Sequence, residues 1–283
     1  MDKLMRAGIR RYLRSPIWWI SVAAALGFGV LFGEYIPRNH MLEAFPFIYL
    51  HLIFACLISL AVGREVSERV VRNKIVAGHT KTKILFSELC LAVIACLILE
   101  VLFLTPFISR GGEMLAKLPL DVWMSALFGT LLFNIVCVVI NVLISMLIHN
   151  RAVSAIACIL LVLVMSIGAA EIDTALKQRE FVRTPEFIYN EETGLREVII
   201  KQGQENPNYV SGCKRKLYIF LNRCIPYGQA GIYVDTMNDY LQNDLPISEE
   251  QEAALQNNWC YSVGVTVVLA FAGAFLFRRR DIK

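Results

Sequence analysis

GREVSERVVRNKIVAGHTKTK, from Gly63 to Lys83, sets six Lys/Arg and two Glu among valines, with a long apolar run on either side. Its surroundings decide how it reads. Hydrophobic residues fill 56% of the 283 positions and the mean hydropathy is +0.53, whereas a water-soluble domain is about 45–50% apolar with glycine included. Lipid is therefore the main solvent of this chain, and the charged stretch connects two membrane spans.

A spanning helix needs about 20 mostly apolar residues. Six stretches come close to that length or exceed it, at roughly 16–36, 44–62, 84–108, 122–148, 153–170 and 259–277. Lys and Arg near span ends are kept on the cytoplasmic side. They gather before the first span (Lys3, Arg6, Arg10, Arg11, Arg14), in Gly63–Lys83, and after the sixth span (Arg278, Arg279, Arg280, Lys283). The first two connections on the other side hold Arg38 in one, and Arg110 and Lys117 in the other. Six spans with both termini cytoplasmic, in a multi-pass plasma-membrane protein, is the even solution that fits.

The expected class is an all-α membrane protein: six transmembrane helices, an N-terminal amphipathic interface helix, and an extracytoplasmic α+β insertion between helices 5 and 6. Residues 1–170 hold the first five helices, 171–258 the insertion, and 259–283 the sixth helix with a basic tail. The insertion carries nine Lys/Arg and fourteen Asp/Glu, net −5, which leaves +9 for the remainder of a chain whose formal charge is +4. The basic excess thus faces the membrane, which argues against nucleic acid as a partner. Within the insertion, 191–200 reads as a turn and a short strand.

The N-terminus resembles a signal peptide in pairing a basic head with an apolar run, but that run is longer than a typical signal core and five more spans follow. On a helical wheel Leu4, Met5, Ile9, Tyr12 and Leu13 fill one half of residues 3–14, and Lys3, Arg6, Arg10, Arg11 and Arg14 the other. That is the pattern of a helix lying on the membrane. Pro16 then turns the chain into the first span, with Trp18 and Trp19 as interfacial anchors.

Eight cysteines offer little chemistry, because Cys56, Cys90, Cys96, Cys137 and Cys158 fall inside spans, where a thiol behaves as a small apolar residue. Cys213 and Cys224 share the insertion and are a possible disulfide, with Cys260 a rival partner. The chain has no C-x-x-C, no H-E-x-x-H and no G-x-x-x-x-G-K-[ST], so neither a zinc site nor a P-loop is expected.

Read as a helix from Arg64 to Val76, the opening stretch places Val66, Val70 and Val71 on one side and Glu65, Glu68, Arg69 and Arg72 on the other. Glu65–Arg69 and Glu68–Arg72 are i,i+4 pairs in the favourable order, each worth roughly 0.2–0.5 kcal/mol. Gly78 supplies a stop and Thr80 a cap for the next helix. One face can pack on the membrane domain and the other can meet a soluble partner; a plain solvated basic loop is the alternative.

The run G-R-E-x-S-x-x-x-V-R-N-K-I-x-x-G-H-x-K-x-K-I, Gly63 to Ile84, resembles the second cytoplasmic segment of ABC-2 type transporter permeases, especially the single-chain permeases of Gram-positive bacteria. Ile225-Pro226-Tyr227-Gly228-Gln229-Ala230 is similar to the L-P-x-G-Q-A stretch before their last span, and Phe277–Lys283 to their basic ending. The resemblance implies a six-span subunit that pairs with a second permease chain, in a homodimer or heterodimer, and with separate ABC ATPase subunits that bind ATP and Mg. This chain would then hold no cofactor and no catalytic group. Gly63, Arg64, Glu65, Glu68, Arg72, Asn73, Lys74, Gly78 and His79 would form the coupling helix, with Arg6, Arg10, Arg11 and Arg14 on the interface helix beside it. The sequence departs at Glu68-Arg69-Val70, where many members read a small or turn-forming sequence, and this puts the shape of the bend in question.

Polar residues inside spans should face protein or water. His51, Glu100, Asn134 and Asn141 are candidates for a translocation pathway, with interhelical hydrogen bonding as the alternative. Ala25, Gly29 and Gly33 repeat every fourth position in the first span and permit close helix contact. Thr105-Pro106 marks a possible kink. Three function classes remain: an exporter permease for an amphipathic or peptide-like substrate; a membrane sensor or immunity protein that holds a peptide at its outer region without moving it; and an intramembrane enzyme with Glu100 and His51 as its acid–base candidates.

Overall fold

The computed structural model describes residues 2–39, 42, 46–189, 196–243 and 249–280. In chain order the elements are α1 (Asp2–Arg14), α2 (Pro16–Asn39), α3 (Pro46–Ser67), α4 (Val70–Val76), α5 (Lys81–Leu115), α6 (Leu120–Leu147), α7 (Arg151–Lys177), β1 (Phe181–Tyr189), β2 (Arg196–Glu205), α8 (Gly212–Cys224), α9 (Pro226–Asn243) and α10 (Glu249–Arg279). Among the described residues six helices are long and apolar enough to cross a membrane, within Pro16–Tyr35, Pro46–Ser67, Lys81–Gly112, Leu120–Leu147, Arg151–Lys177 and Asn257–Arg279. These are the six stretches expected from hydropathy, several of them a turn or more longer.

Small residues set the closest approach. Ala25 is fully buried, a Cβ on Gly29 would collide with the Phe103 carbonyl, and one on Gly33 would lie 2.8 Å from Arg110 Cβ. The stripe therefore lets α2 lie backbone-to-backbone on α5. Pro106 remains inside a continuous α5; its missing N–H falls beside Thr105, whose hydroxyl donates to the Val101 carbonyl at 2.7 Å.

All the basic flanks meet at one end of the bundle. Lys81 Nζ, at the start of α5, donates to the carbonyls of Arg280 (2.5 Å) and Arg278 (3.2 Å), and Arg280 in turn reaches the Met146 carbonyl and His149 at the α6–α7 joint. α1 packs on α5 through Tyr12 and through Gly8, where a Cβ would meet Leu91, and Leu4 is buried as well. Ile9 and Leu13 are left exposed, so only part of the apolar half of the wheel turns inward. Trp19 is exposed and bonds the Leu13 carbonyl at 3.0 Å. Trp18 corrects the sequence reading: it is buried, edge-on to Tyr12, rather than an interfacial anchor.

Residues 171–258 also differ from expectation. A two-stranded antiparallel pair, with Phe181 opposite Glu205 and Tyr189 opposite Arg196, accounts for the strands among the described residues; the turn expected from residue 191 lies outside them. The other elements described there are helices, and they do not stand apart as an α+β unit. α9 sinks Ala230, Tyr233, Val234 and Met237 into a core shared with Val122, Ala126 and Phe133 of α6. Burying that apolar face requires a bundle surface, which is why α9 wedges between the spans.

Candidate functional site

The charged stretch is divided between two helices. α3 continues to Ser67 and the chain bends at Arg69, which takes a left-handed φ of 59°. The bend falls where the permease-like pattern departs, and here an arginine adopts the conformation that glycine adopts most cheaply. α4 then ends at Gly78 (φ 88°), with Gly78 N–H bonded to the Ile75 carbonyl (2.9 Å) and His79 N–H to that of Lys74 (3.1 Å). This is a Schellman stop. Thr80 Oγ1 accepts from Lys83 N–H at 3.3 Å, capping α5 as expected.

The expected i,i+4 pairs are replaced by others. Arg64 bonds Glu68 at 2.7 Å, and Glu65 turns inward. Glu65 Oε2 accepts from Lys74 Nζ at 2.6 Å, and the same ammonium reaches Glu88 Oε1 at 2.8 Å. Arg11 of α1 pairs with Glu65 and lies 3.3 Å from Glu88 Oε2. Two carboxylates, both about 1% exposed, are thus balanced by two cations, and the four residues tie α1, α3, α4 and α5 together. Burial, and after it the Glu88 charge, raises the nearby Tyr12 phenol above its ordinary value. Arg11 therefore does not belong to the solvent face of α1, unlike Arg6, Arg10 and Arg14, which are exposed. Glu88 was not singled out from the sequence; its signal was a carboxylate at the start of an apolar run, facing two cations from other segments.

What α4 shows to the outside is Arg69, Arg72, Asn73 and Val76, the last 81% exposed. Val71 is its buried anchor. Gly63 is buried against Arg151 and Ser154, and His79 is half-buried. The nine residues of the coupling pattern therefore divide: Gly63, Glu65 and Lys74 hold the bend onto the bundle, Gly78 and His79 end α4, and Arg64, Glu68, Arg72 and Asn73 face outward.

Inside the bundle three of the four pathway candidates converge. His51 of α3 and Asn134 of α6 are hydrogen-bonded at 2.5 Å, and because Asn134 Oδ1 can only accept, Nε2 of the imidazole carries the hydrogen. Glu100 of α5 turns its carboxyl toward the Asn134 amide, but neither of its oxygens closes a hydrogen bond, and the same holds for Asn134 Nδ2 and His51 Nδ1. All three residues are at most 2% exposed. Asn141 lies apart, two turns along α6, where its carbonyl accepts from Ser145 at 2.7 Å and faces the Cys158 thiol of α7.

Pro226 to Ala230 make the corner that closes this region. Pro226 opens α9, where its missing N–H costs nothing. Tyr227 stacks edge-on to His51 at 4.9 Å between centroids. Gly228 has no room for a Cβ beside the Asn222 carbonyl. Gln229 donates to the Arg223 carbonyl at 2.5 Å and accepts from Ser262 at 2.7 Å, joining α8, α9 and α10.

The disulfide expectation is corrected. Cys213 and Cys224 are free and lie on the one helix α8, eleven residues apart. At 1.5 Å per residue that is about 16 Å, far beyond the roughly 7 Å limit for a bridge. Among the described residues no group of His, Cys, Asp and Glu is arranged to hold a metal ion. No protein-family model, no curated protein and no solved structure matches the chain.

Proposed function

We propose that this chain is the membrane subunit of an ATP-driven exporter of ABC-2 type, with its basic end in the cytoplasm. The observation that carries the reading is α4: a short helix outside the spans that offers Arg69, Arg72, Asn73 and Val76 outward while Lys74 fastens it inward to Glu65 and Glu88. Force applied to such a helix by a soluble partner passes through Glu88 into α5. Twelve residues further along that rod, about 18 Å at 1.5 Å per residue, sits Glu100. The rigid-helix route lets a movement at the membrane surface reach the His51–Asn134–Glu100 cluster without unfolding either end.

In this reading ATP and Mg belong to separate ATPase subunits, a second permease chain completes the pathway, and the cargo is amphipathic or peptide-like. Co-purification from native membranes tests it. The wild-type chain retains a nucleotide-hydrolysing subunit, and Arg72→Glu with Val76→Asp, both on exposed side chains, releases that subunit at unchanged thermal stability. A chain that purifies alone, with no ATPase activity in the sample, contradicts the reading.

A further inference from the structure

We propose that the basic end contains a pocket for a phosphate-bearing anion, occupied by the headgroup of an anionic phospholipid. A cavity of about 270 Å³ opens there between the bend and the span ends. Arg69, Arg72, Arg280 and His149 line it, with Val71 and Phe277 among its apolar lining. The lining includes no carboxylate. The nearest acid in sequence, Glu68, is already paired with Arg64, and neither Arg69 nor Arg72 has a carboxylate partner among the described residues. Three guanidinium groups brought together without an acid repel one another, and a phosphate between them removes that repulsion while using the fork geometry for which arginine is suited.

The pocket is held open before any ligand arrives. Lys81 grips the carbonyls of Arg278 and Arg280, and the Arg280 guanidinium rests on the Met146 carbonyl and His149. Burial already lowers Arg280 from the usual guanidinium range, so a neighbouring anion is more effective there than in open water.

The volume falls just below the range of ligand pockets, roughly 300–1,000 Å³, which suits a headgroup and not a whole lipid. A second, open cavity shares Ser67 and His149 with the first and extends to Leu60, inside the α3 span. That continuation gives acyl chains a sideways exit into the bilayer, and it favours a lipid over free phosphate. Basic pockets between span ends are suited to anionic headgroups. Assignment to the inner leaflet rests on the cytoplasmic placement of the basic end proposed above; the pocket itself does not.

The test uses the full chain in neutral detergent with no ATPase present. A negative result therefore leaves the exporter reading standing, and loss of the ATPase partner leaves the pocket standing. Native mass spectrometry and thermal melting are followed with phosphatidylglycerol, phosphatidylcholine or inorganic phosphate added. The wild-type chain is expected to retain phosphatidylglycerol at least about tenfold over phosphatidylcholine and to melt higher with it, with inorganic phosphate giving no comparable shift. Arg72→Gln with Arg280→Gln is expected to bring the preference to within twofold. If that pair does not fold, Arg69→Gln, on an exposed side chain, is expected to cut the preference at least threefold. Equal retention of the two lipids by the wild type, an undiminished preference in a folded variant, or inorganic phosphate matching the lipid shift would each overturn the assignment.

Discussion

Two buried polar groups draw on α5, and they are built in opposite ways. At the basic end Arg11, Glu65, Lys74 and Glu88 balance two charges against two, every residue is engaged by another, and four helices are joined. Some 18 Å along the same helix, His51, Asn134 and Glu100 share one hydrogen bond and leave four polar atoms without a partner. A balanced network fixes geometry. An under-satisfied one in an apolar bundle is costly to keep, and its cost is reasonable where groups must change partners. In the proposed exporter the first group holds and the second responds.

The largest effect should come from breaking the balanced group. Glu65→Ala strands Arg11 and Lys74 against Glu88 alone, and removing one partner of a buried ion network costs about 3–5 kcal/mol. Thermal melting in detergent is the measurement; a loss below about 1 kcal/mol would mean that the network is ornamental and that α4 is held by Val71 alone. Gly29→Leu comes next, forcing α2 off the Phe103 carbonyl, with an overpacking cost of about 1–3 kcal/mol. Unchanged melting there would mean that α2 and α5 are not packed as described.

Arg69→Gly should act in the other direction. It releases a left-handed arginine, and the gain is at most about 1 kcal/mol once the greater freedom of glycine in the unfolded chain is counted. Destabilisation instead would show that the arginine side chain contributes more than its backbone costs. Glu100→Gln should have the smallest effect on stability, under about 1 kcal/mol of loss, because a neutral amide is cheaper to bury than a carboxylate. If the chain is the proposed exporter subunit, the same variant should abolish substrate export in a vesicle assay with the ATPase that co-purifies. Full transport by that variant, or collapse of the fold, would remove the contrast with Glu65.

The spans were legible because lipid imposes length and apolarity directly on sequence, and the stripe Ala25, Gly29, Gly33 was legible because close backbone approach tolerates nothing larger. Gly78 and Thr80 were readable as helix punctuation for a similar local reason. Partner choice was not. Helical spacing offered Glu65 a partner at Arg69, but a cation from α1 and another from α4 arrive on the buried side, and tertiary pairing outweighs an exposed pair worth a few tenths of a kcal/mol. The inward pairing of Arg11 was hidden for the same reason, since a wheel drawn for α1 alone cannot show Glu65 and Glu88. Cys213 and Cys224 looked available to each other until a helix separated them. Asn134 and Asn141 share a face of α6 by spacing, yet each meets a different neighbour, so His51 and Glu100 gather around only the first.

In the proposed exporter, α4 is the surface on which an ATP-hydrolysing partner pulls. A photo-crosslinking residue placed at position 76, where Val76 projects outward, tests it in intact cells. One dominant adduct is expected, to a nucleotide-binding protein on the cytoplasmic side, weakened by Arg72→Glu. Adducts only to lipid, or reaction of position 76 with a membrane-impermeant reagent added outside the cell, would contradict it.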